Sequence, residues 1–298
     1  MELLVPSGFR IGKPDGQMTL DALGLLNPLH LAQFYKRGSG PWSNNGIGVV
    51  GVMKTQLQQL RRRPGIEMTG DALLVQHFPF KRSLILPLFL DLEFIQSTFD
   101  FGVDGGAGLR DVFGWNHTIW DHLFKDQLFE QGTTMYPGLL RPKSRGSVVL
   151  SGPSINDPPI IDTNFLDHPD DIRTLVEGMK FLKDLEGTDE FKRHDMKLRA
   201  DYLLCGDKHQ LFSDDYFECY VREYVSTIYH PVSTCRMGPE GQNSVVDHRL
   251  RVHGMKKLRV MDASIMPKLV GANTNAACVM IGEKGASMIL DDLRKRTI

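Results

Sequence analysis

Apolar residues recur at helical spacing in some parts of the chain and alternate with polar residues in others. The helical spacing predicts a helix over about residues 20–35, bent or broken at Pro28, another that begins beside Pro169, and a third that begins at Ser213. Alternating or short apolar runs predict strands at residues 91–99, 146–150, 160–161, 245–246, 250–252 and 258–261. The two kinds of element do not alternate regularly, as they would around a parallel sheet. We therefore predict an α+β fold with a mostly antiparallel sheet and flanking helices.

The last strong pattern is a long, mostly apolar segment at residues 276–290, which predicts a C-terminal helix. The preceding residues, Gly271 to Asn275, supply Asn and Thr side chains of the kind that cap helices, so we expect the helix to start near Asn273. A helix N-terminus combines unpaired N–H groups with a partial positive charge. It can therefore hold an anion or the electron-rich edge of a cofactor.

Composition changes this picture little. Hydrophobic residues make up 41% of the 298 residues and charged residues 24%, and the formal net charge of −1 gives no attraction to nucleic acid. The longest apolar run, residues 84–90, is interrupted by Pro87 and is far shorter than the roughly 20 residues that cross a membrane. The first residues do not look like a signal peptide. We therefore expect a soluble protein with no membrane span.

Four cysteines, Cys205, Cys219, Cys235 and Cys278, are widely spaced and form no C-x-x-C motif. This spacing argues against a zinc ribbon and against a dithiol redox site. We predict no metal site, and we expect the cysteines to be reduced, partly buried thiols.

The segment Gly46 to Gly51 fits the dinucleotide-binding pattern G-x-G-x-x-G, with Glu67 roughly where a ribose-binding acid would lie. That function needs a strand before the first glycine and a helix after the last. Here turn-forming residues precede the glycines, and the segment after them alternates like a strand. We interpret the glycines as serving a turn and a close strand crossing.

Residues 228–237, Ile-Tyr-His-Pro-Val-Ser-Thr-Cys-Arg-Met, place a titratable His230 directly before Pro231 and five residues before Cys235. The residues alone allow a metal site, a nucleophile with its base, or a histidine whose partner is distant in sequence. Asp262, at the end of a predicted strand, allows two interpretations as well. It can cap a turn, which its residue type favours, or accept hydrogen bonds from the hydroxyl groups of a ligand.

Several segments resemble, in the same order, the C-terminal signature of the glucose–methanol–choline (GMC) flavin oxidoreductases. The segments are His230 to Gly238, Val245 to Asp247, Leu258 to Pro267, Asn273 to Asn275 and Ile281 to Lys284. The resemblance extends upstream through Leu139 to Gly146 and Thr174 to Gly178, and Gly105 to Arg110 is similar to the insect, glucose-dehydrogenase-like branch. It covers roughly residues 20–292.

The resemblance implies that FAD accepts a hydride at its N5 atom from the CH–OH group of an alcohol, sugar, choline-like or sterol substrate, with quinone or oxygen as the electron acceptor. His230 matches the catalytic base, and an imidazole suits that role because it titrates near neutral pH. Asn273 matches the second active-site position, where it would hydrogen-bond the substrate oxygen. Asp262, Ala263, Asn273 and Thr274 match positions that contact the flavin. We expect His230 and Asn273 to converge on one cleft, with Asp262 behind them.

The resemblance also implies three parts: an atypical extension at residues 1–20, a substrate-binding domain at residues 21–225 and a C-terminal segment of the FAD-binding domain at residues 226–298. The Rossmann-type unit that begins such enzymes is absent, so we expect the C-terminal half of a GMC enzyme, with an extracellular location. Two other classes stay open: a non-catalytic remnant that binds a small molecule, and a hydrolase that uses His230. The lack of a G-x-S-x-G motif argues against the hydrolase.

Overall fold

The computed structural model describes residues 3–12, 28–37, 47–53, 73–75, 91–97, 99–125, 130–201 and 203–294. The chain forms two compact units. The sheet unit comprises Leu4–Leu139 and Pro169–Ser226, and the site unit comprises Met1–Leu3, Leu140–His168 and Thr227–Ile298. The site unit contains every candidate site residue.

The sheet unit is built on an antiparallel sheet, and several helices accompany it. Its strands are β1 (Leu3–Leu4), β2 (Ser7–Ile11), β3 (Ile47–Met53), β4 (Leu73–Val75), β5 (Leu92–Ser97) and β6 (Gly132–Leu139), followed later in the chain by Met196–Leu198 and Ser226–Thr227. Its helices before residue 139 are α1 (Pro28–Arg37), α2 (Leu109–Phe113) and α3 (His117–Phe124).

The remaining elements follow in chain order. Two short strands of the site unit come first, and the others end with the C-terminal helix: β7 (Ser147–Val149), β8 (Ile160–Asp162), α4 (Pro169–Asp184), α5 (Asp189–Arg193), β9 (Met196–Leu198), α6 (Asp214–Tyr224), β10 (Ser226–Thr227) and α7 (Asn275–Arg294). Among the described residues, eight strands form one sheet in the order β10-β1-β6-β5-β3-β4, and β2 pairs with both β6 and β9.

The sheet confirms the predicted fold class. The pairs β2–β6, β2–β9, β3–β4, β3–β5 and β5–β6 are all antiparallel. Gly48 and Gly51 of the dinucleotide-like motif lie within β3, which pairs antiparallel with β4 and β5. Of the segment expected to continue as a strand after the motif, only residues 52 and 53 are among the described residues. Gly46 and Glu67 lie outside the described residues.

Helix α4 shows how the sequence positions a helix on the sheet. Pro169 begins the helix, and acidic residues occupy its first turn. Their negative charges interact favourably with the positive end of the helix dipole. Its buried face carries Leu175, Met179 and Leu182 at helical spacing. Gly178 lies so close to β6 that a Cβ atom there would approach the Cβ of Pro137 to 2.7 Å. The glycine therefore permits close contact between helix and sheet.

Helix α6 also begins where the sequence predicts. The Ser213 side chain accepts a hydrogen bond from the backbone N–H of Tyr216, which caps the helix. Tyr216, Tyr220 and Tyr224 follow at four-residue spacing and are fully buried. The Tyr220 hydroxyl donates to the Pro6 carbonyl oxygen at 3.1 Å, which satisfies one of these buried polar groups.

The predicted strands at residues 245–246, 250–252 and 258–261 are wrong as regular strands. The structure has only isolated bridges there, which join Met237 to Val246, Val246 to Val252 and Arg251 to Arg259. The apolar residues in these runs instead form a small core of the site unit, with Val246, Leu250, Ile265, Met266 and Ile281 buried at its centre. A short apolar run marks burial, but it does not by itself specify a ladder of paired strands.

The two units divide the chain differently from the three predicted parts. The predicted N-terminal extension, residues 1–20, contains β1 and β2, and these are buried strands of the sheet. Residues 140–168, which the prediction put in the substrate-binding domain, are grouped with residues 227–298. Near residue 226 the predicted and observed boundaries lie within one residue of each other.

The expectation of four reduced thiols is wrong for two of them. Cys205 and Cys219 form a disulfide with their Cα atoms 5.8 Å apart, whereas Cys235 and Cys278 are free. Cys205 lies in a turn that is ordered by Asp201, whose carboxylate accepts three backbone N–H groups, those of Leu203, Leu204 and Cys205. This turn brings Cys205 back to helix α6, and no sequence spacing rule reveals that approach.

Removal of this disulfide should destabilise the chain. A double Cys205→Ala/Cys219→Ala variant should lose about 3 kcal/mol of unfolding free energy, because closing a loop of about 15 residues restricts the unfolded state. Urea unfolding with and without dithiothreitol measures this. The reductant should destabilise the wild type and a Cys235→Ala control equally and should leave the double variant unchanged. Equal stability of the oxidised and reduced wild type would contradict the prediction.

Candidate functional site

His230 lies in a segment of unusual backbone conformation. Tyr229 and Ser233 on either side of it have φ angles of 63° and 76°, in the left-handed region that non-glycine residues rarely adopt. The Tyr229 N–H donates to the Thr227 hydroxyl oxygen at 3.0 Å. The His230 side chain is half-buried. The sequence gives no signal for this conformation, because neither Tyr nor Ser favours positive φ.

Three hydrogen bonds join this segment to the segment that contains Asp262 and Ala263. The Ser233 hydroxyl donates to the Met266 carbonyl oxygen at 2.6 Å. The backbone N–H groups of Cys235 and Met237 donate to the carbonyl oxygens of Ser264 and Ile265 at 3.0 and 2.8 Å. The structure therefore places the chain just after His230 alongside two of the predicted flavin-contacting residues.

Asp262 caps the short 3₁₀ helix Ala263–Ile265. Its carboxylate accepts hydrogen bonds from the Ser264 N–H at 2.8 Å and from the Ser264 hydroxyl at 2.5 Å. The turn interpretation of Asp262 is thus confirmed. The Asp262 side chain is also exposed, so the carboxylate is accessible to a ligand.

Asn273 and Thr274 lie directly before helix α7. Asn273 is exposed, whereas Thr274 is buried at 8% exposure, and its carbonyl oxygen accepts the Cys278 N–H at 2.9 Å. The N–H groups of the first helical turn have no partner within a helix. Helix α7 starts within two residues of the predicted position. The convergence of His230 and Asn273 on one cleft stays a prediction.

Helix α7 packs on the site core through one narrow side. Ile281 and Gly285 are its buried residues, and Gly285 lies against the Met261 side chain, where a Cβ atom would clash. Several large apolar side chains of the helix are exposed by 38–60%: Val279, Met280, Ile289, Leu290 and Leu293. Such exposure of a long apolar helix favours association of the chain.

Charged groups hold the far end of helix α7. Arg249 and Arg259 both form ion pairs with Asp292, the former at 2.7 Å. Nearby, Asp247 pairs with Arg251 at 2.7 Å. Burial alone would raise the pKa of Asp247, but hydrogen bonds from the Arg251 side chain and from the backbone of Arg251 and Arg249 lower it to about 2. The two pairs with Asp292 join the helix to Arg249 and Arg259, whereas the Asp247–Arg251 pair lies outside the helix.

Neither serine near His230 is placed as a nucleophile. The Ser233 hydroxyl donates to a backbone carbonyl and the Ser264 hydroxyl to the Asp262 carboxylate. A serine nucleophile instead donates to a general base such as histidine. The geometry therefore gives the hydrolase interpretation no support.

The described residues fit one end of a flavin better than the other. The exposed Asp262 carboxylate and the N-terminus of α7 are groups that can contact the polar hydroxyls and the electron-rich edge of a flavin. A pyrophosphate needs a glycine-rich turn between a strand and a helix. The described residues contain no such unit in a parallel sheet, since the pairings of β3 are antiparallel. Within the same residues, no helix is both long and apolar enough to cross a membrane.

The chain is similar to several known proteins. Residues 142–282 match the family model for GMC oxidoreductases. Glucose dehydrogenase [FAD, quinone] of Drosophila pseudoobscura pseudoobscura is 44% identical over 156 residues, which are 52% of this chain and 25% of that protein. Alcohol dehydrogenase [acceptor] of Pseudomonas putida is 40% identical over 159 residues, 53% of this chain and 28% of that protein.

A solved structure extends the similarity of fold to nearly the whole chain. A variant formate oxidase of Aspergillus oryzae RIB40, studied for its FAD modification, matches 99% of this chain and 47% of its own with a TM-score of 0.73 and 23% identity. The chain thus spans between a quarter and a half of the length of these proteins. Residues 142–282, which hold His230, Asp262 and Asn273, are thus a GMC oxidoreductase C-terminal domain.

Proposed function

We propose that this chain supplies the substrate-binding and proton-transfer residues of an FAD-dependent oxidoreductase that acts on CH–OH groups. The observation that carries the proposal is the set of hydrogen bonds between the segment after His230 and residues 264–266, inside the part of the chain that matches the family model. In an active site of this kind, the base must stay at a fixed distance from the residues that contact the cofactor. The hydrogen bonds between the two segments can hold that distance.

The proposed chemistry of the chain is proton transfer and positioning. An imidazole nitrogen of His230 accepts the proton of the substrate hydroxyl, and the Asn273 amide donates a hydrogen bond to the substrate oxygen. When bound, FAD would accept the hydride, that is, the hydrogen with two electrons, that leaves the carbon. Asp262, Ala263, Asn273 and Thr274 contact the flavin, with the N-terminus of α7 stabilising negative charge.

In this proposal, residues 227–294 hold the reacting groups. The substrate is a small alcohol, sugar, choline-like molecule or sterol, and the electrons pass on to a quinone or to oxygen. Assay of flavin-loaded enzyme with a panel of these alcohols and an artificial electron acceptor tests the proposal. Failure of every alcohol to reduce the bound flavin would contradict it.

We also propose that the protein matures outside the reducing cytosol, in an extracellular location. The support is the Cys205–Cys219 disulfide, since such bonds persist mainly in oxidising compartments. Thiol trapping in the source tissue, followed by peptide mass spectrometry, tests this. We expect a linked Cys205–Cys219 peptide, and recovery of two alkylated cysteines would contradict the proposal.

The isolated chain should bind FAD weakly or not at all. The described residues offer groups for the ring and ribityl end of the flavin but no strand–turn–helix for its pyrophosphate, whose removal from water must be offset. Titration by calorimetry or flavin fluorescence measures this, with a Kd well above about 1 μM as the expected result. Tight stoichiometric binding would contradict the prediction and would show that another segment holds the pyrophosphate. Failure of every alcohol to reduce flavin, even at FAD concentrations that saturate weak binding, would favour the non-catalytic remnant.

A further inference from the structure

Ser233 combines two features that point to a role beyond packing. Its φ of 76° places a residue with a side chain in a conformation that favours glycine. Its hydroxyl group makes a 2.6 Å hydrogen bond to the carbonyl oxygen of Met266, 33 residues away. A strained backbone persists only where surrounding contacts fix it, and such residues cluster at functional sites.

The Met266 end of this hydrogen bond is firmly anchored. Met266 is 6% exposed and belongs to the site core together with Ile265 and Ile281. Val232, next to Ser233, packs against the same core. The bond therefore joins the His230 segment to the buried core of the site unit.

The segment between Tyr229 and Ser233 connects His230 to the Ser233 hydrogen bond. It contains Pro231, whose ring fixes φ but removes a backbone donor. Both ends of it are in the left-handed region. The Ser233 hydrogen bond lies closer to His230 along the chain than the backbone bonds of Cys235 and Met237, so a change at Ser233 should alter the backbone at His230 most directly.

We propose that Ser233 is a positioning residue for His230, because its hydroxyl–Met266 hydrogen bond holds residues 229–233 in the conformation that aims the imidazole. The inference rests on the proposed function, in which His230 is the base. Ser233 itself contacts neither substrate nor cofactor in this proposal.

The test is nuclear magnetic resonance of the intact chain with labelled histidine rings, which needs no flavin. The signal of His230 is identified by its loss in His230→Ala. Ser233→Ala and Ser233→Gly should both shift or broaden that signal and change its titration midpoint, because both remove the hydroxyl. Ser244→Ala is the matched control: it removes a similar bond in the same unit, from the Ser244 hydroxyl to the Pro239 carbonyl oxygen at 2.5 Å, and should leave the signal in place.

The two Ser233 variants separate the hydrogen bond from the backbone strain. Glycine relieves the strain, whereas alanine keeps it, so a normal His230 signal in Ser233→Gly would overturn the assignment to the hydrogen bond. An unchanged signal in Ser233→Ala would overturn it as well. In flavin-loaded enzyme, Ser233→Ala should lower kcat by up to about 10²-fold with little change in KM, as expected for a small misplacement of a base. Inactive wild-type enzyme would refute the proposed function and leave the resonance result to decide the role of Ser233.

Discussion

Replacement of His230 by alanine should reduce alcohol oxidation by flavin-loaded enzyme by about 10²–10⁴-fold, the usual contribution of a positioned general base. The imidazole is half-buried and lies in a segment whose backbone is fixed by hydrogen bonds to residues 264–266. Loss of the ring removes the proton acceptor and leaves the fold intact. Steady-state kinetics with an artificial electron acceptor measures the effect on kcat/KM.

The pH dependence of the reaction should identify the same group. A base must be neutral to accept a proton, so activity should rise with pH through the pKa of a histidine. This rise should disappear in His230→Ala, whose remaining activity should depend on pH less steeply. If the activity of His230→Ala rose with pH as steeply as that of the wild type, a group other than His230 would be responsible for the rise.

Two further variants serve as controls for His230. His248 is an exposed histidine of the same unit, and His248→Ala should leave the activity unchanged. Asn273→Ala should cost roughly tenfold or less, because it removes one hydrogen bond and no proton acceptor. Equal activity of wild type and His230→Ala would refute the assignment of the base.

Local signals were enough to predict helices α4, α6 and α7 and the strand β5 of the central sheet. Pro169 with two following acids, and Ser213 as a cap, mark helix starts through contacts within a few residues, so sequence specifies them directly. Alternation in the segment 91–99 likewise predicted β5. The long apolar segment before residue 290 predicted α7.

The errors arose where distant contacts decide the structure. The apolar runs between residues 245 and 261 are buried around Val246 and Leu250, but their backbone groups pair only at single bridges. The disulfide depends on how the turn at Asp201 meets helix α6. The candidate residues themselves came from the order of family motifs. The role inferred for Ser233 depends on a backbone angle and on a partner 33 residues away, which no local pattern encodes.

The second large effect is expected at a buried ion pair in the sheet unit, away from any proposed chemistry. Asp100 and Arg199 have side chains that are 1% and 12% exposed, with Oδ2 and Nε 3.6 Å apart. Asp100 Oδ1 also accepts the Gly102 N–H at 2.8 Å, which caps the 3₁₀ helix Phe101–Asp104. Asp100→Ala should therefore lower the free energy of unfolding by about 3–5 kcal/mol, because Arg199 would be left as a buried charge without its partner.

The pH dependence of stability should carry the signature of this carboxyl group. Burial raises the pKa of Asp100 above its ordinary value of 3.8, and the charge of Arg199 opposes this only in part. Because the pKa is higher in the folded than in the unfolded state, the contribution of Asp100 to stability is complete below the unfolded pKa and is lost as pH rises through the folded pKa. Asp100→Asn keeps an oxygen that can cap the 3₁₀ helix but leaves Arg199 without a charged partner. Because Asn does not titrate, the stability of this variant should lack the decline above about pH 4, whatever its absolute value.

A second variant distinguishes an unpaired charge from a simple loss of packing. In Asp100→Ala/Arg199→Met neither charge is buried, so most of the lost stability should return, since apolar replacements of buried ion pairs are often neutral. Urea unfolding followed by the fluorescence of the buried Trp115 and Trp120 measures all variants. Asp214→Ala, which removes the exposed pair with Lys180, is the control and should cost less than about 1 kcal/mol. A double variant as unstable as Asp100→Ala would show that the cap and the packing of Asp100 matter more than the charge of Arg199.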